Sequence, residues 1–133
     1  MIYRSFCLRD LGQVEGISKG GFPVPLSKIA IVLLSVICRV YVAVEGRNVA
    51  GYLVLGEKSA GELFIFHLAV RREYRMRGVA SGFIKSYVDR MCYVRTHVSN
   101  ADAQKFYKKH KFKVLNKARY ADEEEEYLMV RKL

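Results

Sequence analysis

The feature that most constrains the fold is a change of hydrophobic period near the middle of the chain. The segment Leu63–Val70 (LFIFHLAV) is apolar on both faces of an extended chain, and the helical pattern of Val79–Met91 begins directly after Gly78. A strand of that kind belongs inside a sheet whose two faces are covered. A central strand, an arginine-rich turn and a helix therefore predict a strand–turn–helix unit of an α/β domain.

The other segments extend this unit to the order β-α-α-β-β-β-α-β-α-β-β, which predicts a single α/β domain over residues 1–133. Its mixed central sheet would have about seven strands, flanked by about four helices. The elements predicted outside the central unit are an N-terminal strand, a helix over Leu11–Lys19 capped by Asp10, an apolar helix over Ser27–Cys38, a hairpin around Glu45–Asn48, a strand in Cys92–Val98, a helix over Ser99–His110 with a Ser99–Asp102 capping box, and two closing strands in Phe112–Ala118 and Glu126–Leu133.

The most hydrophobic run, Ile29–Cys38 (IAIVLLSVIC), has ten residues. A membrane-spanning helix needs about 20, so we expect a buried core helix and no membrane association. The N-terminus has no basic-then-apolar signal pattern, and three cysteines without a CxxC spacing are typical of a reducing cytoplasm. The three scattered histidines do not predict a metal site.

The charge balance indicates either an anionic partner or a basic solvated surface. Lysine and arginine number 23 against 13 aspartates and glutamates, a net charge of +10, and hydrophobic residues make up 51% of the chain. That apolar fraction predicts a folded protein. The charge suits nucleic acid, a membrane surface or a phosphorylated cofactor, and composition alone leaves these open.

The turn before the Val79–Met91 helix has the outline of a phosphate cradle. Helix N-termini carry unpaired N–H groups and partial positive charge, so a diphosphate binds there. Gly78 lets a ligand approach the backbone, and the small side chain of Ala80 does not obstruct that approach. Four arginines are placed to meet the remaining phosphate oxygens: Arg71, Arg72, Arg75 and Arg77. On its own this pattern is more typical of a solvated surface.

A second segment, SNADAQKFYKKHKF, places Asn100 at a strand-to-helix junction and Tyr107 on the same helical face. Together the two segments resemble the GNAT acetyltransferase superfamily, whose turn here is Arg75–Ala80. The resemblance implies the GNAT fold, acetyl-CoA as co-substrate and no metal. The cofactor-binding residues that it implies are Leu68, Ala69, Val70, Arg75, Met76, Arg77, Gly78, Val79, Ala80, Ser81, Asn100 and Tyr107.

The segments GFPVPL and RYADEEEEYLMVRKL resemble more narrowly the archaeal RimI/Ard-type protein N-terminal acetyltransferases. This resemblance implies direct acetyl transfer, in a ternary complex, to the α-amine of a protein or peptide N-terminus. It implies a pocket for the first residue, formed by Phe22, Pro23, Val24 and Tyr120. The acidic run Glu123–Glu126 would attract basic tails, including those of ribosomal proteins, so ribosome association is a further expectation. The protein would be a monomer or a homodimer.

The catalytic assignments combine this resemblance with the residue types found at and near the central strand. Tyr107 is expected to act as the acid that protonates the leaving thiolate, because a phenol near the sulfur is a competent donor. Glu62 and His67, at either end of the central strand, are the candidate bases, acting through water. The backbone of Leu68–Val70 would polarise the thioester carbonyl.

Several positions depart from the family pattern and keep other functions open. Arg95 stands where RimI-type enzymes carry a glutamate base, Phe64 where relatives place tyrosine or histidine, and Lys111 where the family has glycine. Two alternatives remain: a non-catalytic module that binds CoA, RNA or the ribosome, and an acetyltransferase acting on lysine or on a small amine such as a polyamine.

Overall fold

The computed structural model describes residues 1–119 and 124–132. The predicted roles of Tyr120 and Glu123 therefore lie outside the described residues. The element order agrees with the sequence-based prediction. The strands are β1 (Ile2–Ser5), β2 (Arg39–Glu45), β3 (Asn48–Glu57), β4 (Leu63–Val70), β5 (Cys92–His97), β6 (Lys113–Arg119) and β7 (Glu125–Arg131), and the helices are α1 (Leu11–Gly21), α2 (Lys28–Ile37), α3 (Val79–Tyr87) and α4 (Ala101–Lys109).

The chain forms two compact units, and the first comprises Met1–Gly56 and Phe66–Tyr87. Its strands follow the order β1-β2-β3-β4, with β2 antiparallel to both β1 and β3. The predicted hairpin joins β2 to β3 through a two-residue turn, in which Gly46 has φ +61°. Glycine is favoured there because a side chain is strained at positive φ. The core contains Val14 and Ile17 from α1, packed with Tyr52 and other buried strand residues.

The prediction that the apolar helix is buried is wrong. Only Ile31 of α2 is buried, whereas Ile29, Val36 and Ile37 are each at least 75% exposed. A continuous apolar run carries no periodicity, so the sequence could not show that one face of α2 meets the core. Ser27 caps α2 by accepting a hydrogen bond from the Ala30 N–H at 3.1 Å. Within residues 1–119 and 124–132, no helix is long and apolar enough to cross a membrane.

Asp10 has a different role from the predicted helix cap. Its carboxylate makes no capping hydrogen bond to α1 and instead accepts two hydrogen bonds from Arg4, at 2.8 and 2.9 Å. It also accepts the Cys7 N–H at 2.9 Å. The side chain is nearly fully buried, so a partner of opposite charge stabilises it more than a lone backbone N–H would.

The second unit comprises Glu57–Ile65 and Val88–Leu133. Here β4 pairs with β5 in parallel, while β7 is antiparallel to both β5 and β6, so the sheet is mixed. Strand β4 contributes residues to both units. The predicted seven-stranded mixed sheet and four helices are confirmed for the part of the chain that the structure describes. That residues 1–133 form one domain stays a prediction.

Helix α3 ends at Tyr87, one turn before the predicted Met91. The residues after Tyr87 do not continue the helix because they form hydrogen bonds to other segments. The Met91 carbonyl accepts a hydrogen bond from the Leu63 N–H, and Arg90 donates one to Glu57. The predicted Ser99–Asp102 capping box is also wrong. Asn100 is the N-cap of α4, and its Oδ1 accepts the Ala103 N–H at 3.1 Å.

Lys111, which replaces the family glycine, has φ +70° directly after α4. The Phe112 N–H returns to the Tyr107 carbonyl at 3.0 Å, so the chain closes the helix through a left-handed residue. Glycine adopts this conformation without strain, which explains physically why it suits the position.

Candidate active site

The turn between β4 and α3 has the shape of the predicted phosphate cradle. Met76 has φ +65° and Gly78 has φ +78°, and α3 begins at the next residue, Val79. A Cβ added at Gly78 would meet no atom within 4 Å, so the space before the helix is open. An open approach to the N-terminus of a nine-residue helix fits the diphosphate of CoA.

The four arginines of the turn do not share one role. Arg71 is tied internally, with Nε donating to the Val49 carbonyl at 2.8 Å and Nη2 to Gln13 Oε1 at 2.6 Å. This binds α1 to the sheet, so the expectation that Arg71 meets phosphate gains no support. Arg72, Arg75 and Arg77 are exposed, and they remain the candidate phosphate ligands.

Beside the turn lies an open groove of about 720 Å³. Its α1 wall has three glycines at helical spacing beside two larger side chains, and its other wall includes Arg72 and Arg75; the α1 residues are Gly12, Gln13, Gly16, Ile17 and Gly20. Because the glycines add no side chains, the groove keeps the arginines accessible from that side.

The start of α3 is braced by β1 in a way that the sequence did not suggest. The Tyr3 hydroxyl donates to the Val79 carbonyl at 2.9 Å, and its ring meets Phe83 edge-on at 5.0 Å. A Cβ on Gly82 would overlap the Tyr3 hydroxyl. Gly82 therefore serves helix–strand packing, and the only sequence signal was a second glycine four residues after Gly78.

Strand β3 approaches the predicted thioester-binding segment closely. A Cβ on Gly51 would lie 2.7 Å from the Ala69 carbonyl oxygen and 3.3 Å from Val70 Cα. Glycine at this position lets β4 keep its course at Leu68–Val70. A glycine inside a strand is a known sign of close backbone approach, so this contact could have been found from the sequence.

His67 joins a buried network instead of facing open solvent. Its ring stacks on Phe22 with centroids 4.0 Å apart, and its Nδ1 lies 3.1 Å from the Tyr52 hydroxyl. Burial lowers the pKa of His67 to about 4, so the ring is neutral at pH 7 and a weak base. Its assignment as a base stays a prediction, and its contacts favour a role in supporting Phe22.

The loop after α1 is held at both ends. The half-buried ring of Phe22 stacks on the His67 ring, and the Leu26 N–H donates a hydrogen bond to Ser18 Oγ at 2.8 Å. Between these anchors Pro23 and Val24 are exposed, with Val24 83% exposed. These are the predicted substrate-binding residues that the structure describes.

The remaining site residues belong to the second unit. Tyr107 is buried and meets Phe112 edge-on at 5.2 Å; burial, and then the nearby Cys92 thiol, raises its pKa. The side-chain oxygen of Asn100, Oδ1, caps α4 by accepting the Ala103 N–H, so the side-chain nitrogen is the atom that can donate to a ligand. Glu62 lies beside the Tyr93 hydroxyl, whose pKa it raises. The described residues contain no cluster of three metal-ligating side chains.

Comparisons with known proteins decide the family. The protein-family model of the acetyltransferase (GNAT) domain matches residues 37–114, which is more than half of the chain. An uncharacterised N-acetyltransferase of Methanocaldococcus jannaschii is 30% identical over 146 residues, covering 99% of this chain and 92% of that protein. The chain belongs to the GNAT acetyltransferase family. It is an N-acetyltransferase that uses acetyl-CoA, as its sequence predicted.

Solved structures agree with this assignment at the level of the fold. Ard1 from Thermoplasma volcanium is 23% identical with a TM-score of 0.87, and the match covers 99% of this chain and 97% of that one. The ribosomal-protein-S18-alanine N-acetyltransferase from Escherichia coli is 17% identical with a TM-score of 0.85, covering 98% and 92%. Naa50 from Arabidopsis thaliana, solved with the bisubstrate analogue CoA-Ac-MVNAL, is 19% identical with a TM-score of 0.81, covering 99% and 98%. The predicted GNAT fold is confirmed.

The cradle assignment predicts that Gly78→Ala weakens acetyl-CoA binding about tenfold, which corresponds to about 1.4 kcal/mol. The added methyl group would stand where the diphosphate approaches the helix start. Gly46→Ala is the matched control, because Gly46 also has positive φ and open space around its Cβ. Both variants should lose about 1 kcal/mol of stability from backbone strain. Calorimetric titration with acetyl-CoA separates them, and equal Kd values for the two variants would contradict the cradle.

Proposed function

We propose that this acetyltransferase modifies the α-amine of a protein or peptide N-terminus. The observation that carries the proposal is the anchored loop after α1, with Phe22 stacked on His67 and Leu26 bonded to Ser18. Such a loop presents Pro23 and Val24 as a fixed apolar rim. A fixed apolar rim suits the first side chain of a peptide better than a small polyamine, which has no apolar group to bury.

Two neighbours support a peptide acceptor. The Escherichia coli enzyme is named for an alanine of ribosomal protein S18, and the Arabidopsis Naa50 was solved with a bisubstrate analogue that contains MVNAL. A ribosomal-protein substrate, ribosome association, a cytoplasmic location and a monomeric or homodimeric state belong to the proposal as expectations.

The chemistry of the acceptor favours an α-amine over a lysine. An α-amino group has a pKa of about 7.7–8.0, against about 10.4 for lysine. Deprotonation at pH 7 therefore costs about 1–1.4 kcal/mol for the α-amine and about 4.6 kcal/mol for lysine. Because burial weakens His67 as a base and Arg95 replaces the family glutamate, an acceptor that deprotonates easily suits this chain.

The roles proposed for the chain's own groups are those expected from the sequence, and each is a part of this proposal. Bound acetyl-CoA supplies an acetyl group activated as a thioester. The N–H groups at the start of α3 hold its diphosphate, aided by exposed Arg75 and Arg77. The backbone of Leu68–Val70 orients the pantetheine arm and polarises the carbonyl. Tyr107 holds a proton on Oη for the leaving sulfur, and Glu62 receives the proton of the amine through water.

Acetyl transfer to a peptide panel, read by mass, tests the proposal. We expect modification of peptides with free Met, Ser or Ala N-termini, and none of N-blocked peptides containing lysine or of polyamines. Modification confined to lysine or polyamines would contradict it. Binding of acetyl-CoA without any turnover would favour the non-catalytic module instead.

A pair of exposed valines tests the role of the loop. Val24→Asp should raise the peptide KM about tenfold, since loss of one valine contact is worth about 1.5 kcal/mol. Val36→Asp on α2 is the matched control, because Val36 is 78% exposed and Val24 83%. It should leave the peptide KM unchanged, and the Kd of acetyl-CoA should be the same for both variants.

A further inference from the structure

Helix α2 presents to solvent a stripe of large apolar side chains that no predicted role uses. Ile29, Leu33, Val36 and Ile37 form this α2 stripe, and each is at least 58% exposed. We propose that the stripe binds the α2 stripe of a second copy of the chain, so that the protein forms a two-fold symmetric homodimer. The inference selects the homodimer from the two states expected from the sequence, and it does not depend on which acceptor is acetylated.

The spacing of the stripe places it on the side of α2 that faces away from the core. At about 3.6 residues per turn, its four residues cover about 100° of the helix circumference. Ile31 is buried in the core of the first unit, with Leu34 partly buried beside it, and both lie on the other side of the helix. A solvated helix face normally carries polar residues. An apolar stripe in that place therefore indicates a contact surface for another macromolecule.

The exposed area of the stripe is sufficient for a weak dimer. Four aliphatic side chains exposed to this degree offer on the order of 500 Å² per copy, which is large for an apolar patch on a monomeric protein. Two copies would bury about 1,000 Å² in total, the lower bound for a specific interface. We therefore expect a reversible dimer with a Kd of about 10–100 µM instead of an obligate one.

The stripe and the groove beside it are complementary in an antiparallel arrangement of two α2 helices. The groove has a volume of about 340 Å³, and its lining residues are Leu11, Lys28, Ile29, Val32 and Leu33. Val36 and Ile37, near the other end of α2, are the two most exposed residues of the stripe. A two-fold axis at Leu33 places Ile37 of each copy beside Ile29 of the other, because both lie four residues from Leu33. The protruding end of each stripe then meets the groove of the other copy.

The charge distribution favours this face over the rest of a strongly basic surface. Two copies with a net charge of +10 each repel one another. In the sequence of α2, KIAIVLLSVI, Lys28 is the one charged residue, and its Nζ lies 4.0 Å from Glu15 Oε1. The antiparallel arrangement brings Lys28 to the last turn of the other α2. That turn has no basic residue and carries the partial negative charge of a helix C-terminus.

The composition of α2 fits a second copy better than a lipid surface. Helices that lie on anionic membranes carry several lysines or arginines on a polar face. Helix α2 has a single lysine, and the side opposite the stripe is packed against the core instead of being polar. A lipid surface is therefore the alternative occupant that the experiment has to distinguish.

Analytical ultracentrifugation of the full chain tests the inference. The wild type should change from monomer to dimer over a concentration range of about 1–500 µM. Added salt should strengthen the dimer, because it screens the repulsion between the two copies, including that of Arg39 at the end of each α2. Electrostatic binding to anionic lipid would weaken under the same change.

Substitutions at the two-fold axis assign the dimer to the stripe. Leu33→Lys should raise the dimerisation Kd at least about 30-fold, because two lysines would then face one another. Leu115→Lys on β6 is the matched control, since Leu115 is 54% exposed and Leu33 58%. It adds the same charge and should leave the Kd within about twofold. A mixture of Leu33→Lys and Leu33→Glu should recover a dimer, because residue 33 meets itself across a two-fold axis.

The outcomes separate this inference from the proposed function. A wild type that stays monomeric at the highest concentration would overturn the dimer, as would a dimer that Leu33→Lys leaves intact. A mixture of the two Leu33 variants that stays monomeric would overturn the two-fold arrangement. Binding of the monomer to vesicles of phosphatidylcholine and phosphatidylserine, lost in Leu33→Lys, would assign the stripe to lipid instead.

Activity supplies the independent readout. The stripe contains none of the residues expected to bind acetyl-CoA or the acceptor, so kcat/KM per protomer for a peptide should be the same in the wild type and Leu33→Lys. Val36→Asp should likewise dissociate the dimer and leave the peptide KM unchanged. Acetylation of peptides by a monomeric wild type would thus contradict the dimer alone, and a dimer without turnover would contradict the proposed function alone.

Discussion

Tyr107→Phe is expected to lower kcat about 100-fold while the Kd of acetyl-CoA stays within about twofold, since general acids contribute about 10²–10⁴ in rate. The phenyl ring keeps the packing against Phe106 and Phe112, so the loss should come from the proton alone. Burial raises the pKa of Tyr107, which keeps the phenol protonated throughout the neutral range. The group is therefore available as a donor wherever the enzyme is folded.

Single-turnover kinetics and acetyl-CoA titration distinguish this role from a structural one. Tyr87→Phe on α3 is the control, because burial also raises the pKa of Tyr87, yet the tyrosine has no proposed catalytic role. It should leave kcat within about twofold of the wild type. If Tyr107→Phe weakened acetyl-CoA binding as much as it slowed turnover, the acid role would be untenable.

Arg4→Met is expected to lower the free energy of unfolding at pH 7 by about 2–4 kcal/mol. The substitution keeps an apolar stem but leaves the Asp10 carboxylate without both of its hydrogen bonds from Arg4. Asp10 is only 3% exposed, so water cannot replace them. The remaining donors to Asp10 are the Cys7 N–H and the Cys7 thiol, whose sulfur lies 3.4 Å from Oδ2; both are neutral and do not compensate a buried charge.

The loss in the free energy of unfolding caused by Arg4→Met should become smaller as the pH falls. Burial raises the pKa of Asp10, but hydrogen bonds from Arg4 and Cys7 outweigh it and hold the pKa below its ordinary value of 3.8. This carboxylate therefore stabilises the wild type fully above its unfolded pKa, and the contribution disappears as the pH falls through the lower folded pKa. In Arg4→Met burial dominates, the pKa rises, and protonation relieves the buried charge at higher pH.

Urea unfolding between pH 7 and pH 3 measures this difference. Arg9→Met removes the same charge from an exposed neighbour and should change the free energy of unfolding by at most about 0.5 kcal/mol. The double variant Arg4→Met/Asp10→Asn should recover part of the loss. A deficit of Arg4→Met that is equally large at pH 3 and pH 7 would show that packing, not the ion pair, is responsible.

The order of elements followed from the sequence because its signals are local. Each signal depends on neighbouring residues only: the alternation in β2 and β3, the glycine turn between them, and the period change at Gly78. The predicted helix caps and helix ends were wrong where another segment of the chain binds the same residue. Asp10 binds Arg4 instead of capping α1, and the turn expected to extend α3 is bound to β4 through Met91.

The sequence by itself determined the family, the acetyl-CoA chemistry and the position of the turn before α3, because Gly78 and the start of α3 are consecutive in the chain. Only the tertiary structure decided which side chains meet within each unit. Tyr3 braces α3, Phe22 stacks on His67, and Arg95 shares a pocket with Lys58. These residues are distant in sequence, and their contacts depend on strand register and helix packing, which no local pattern specifies.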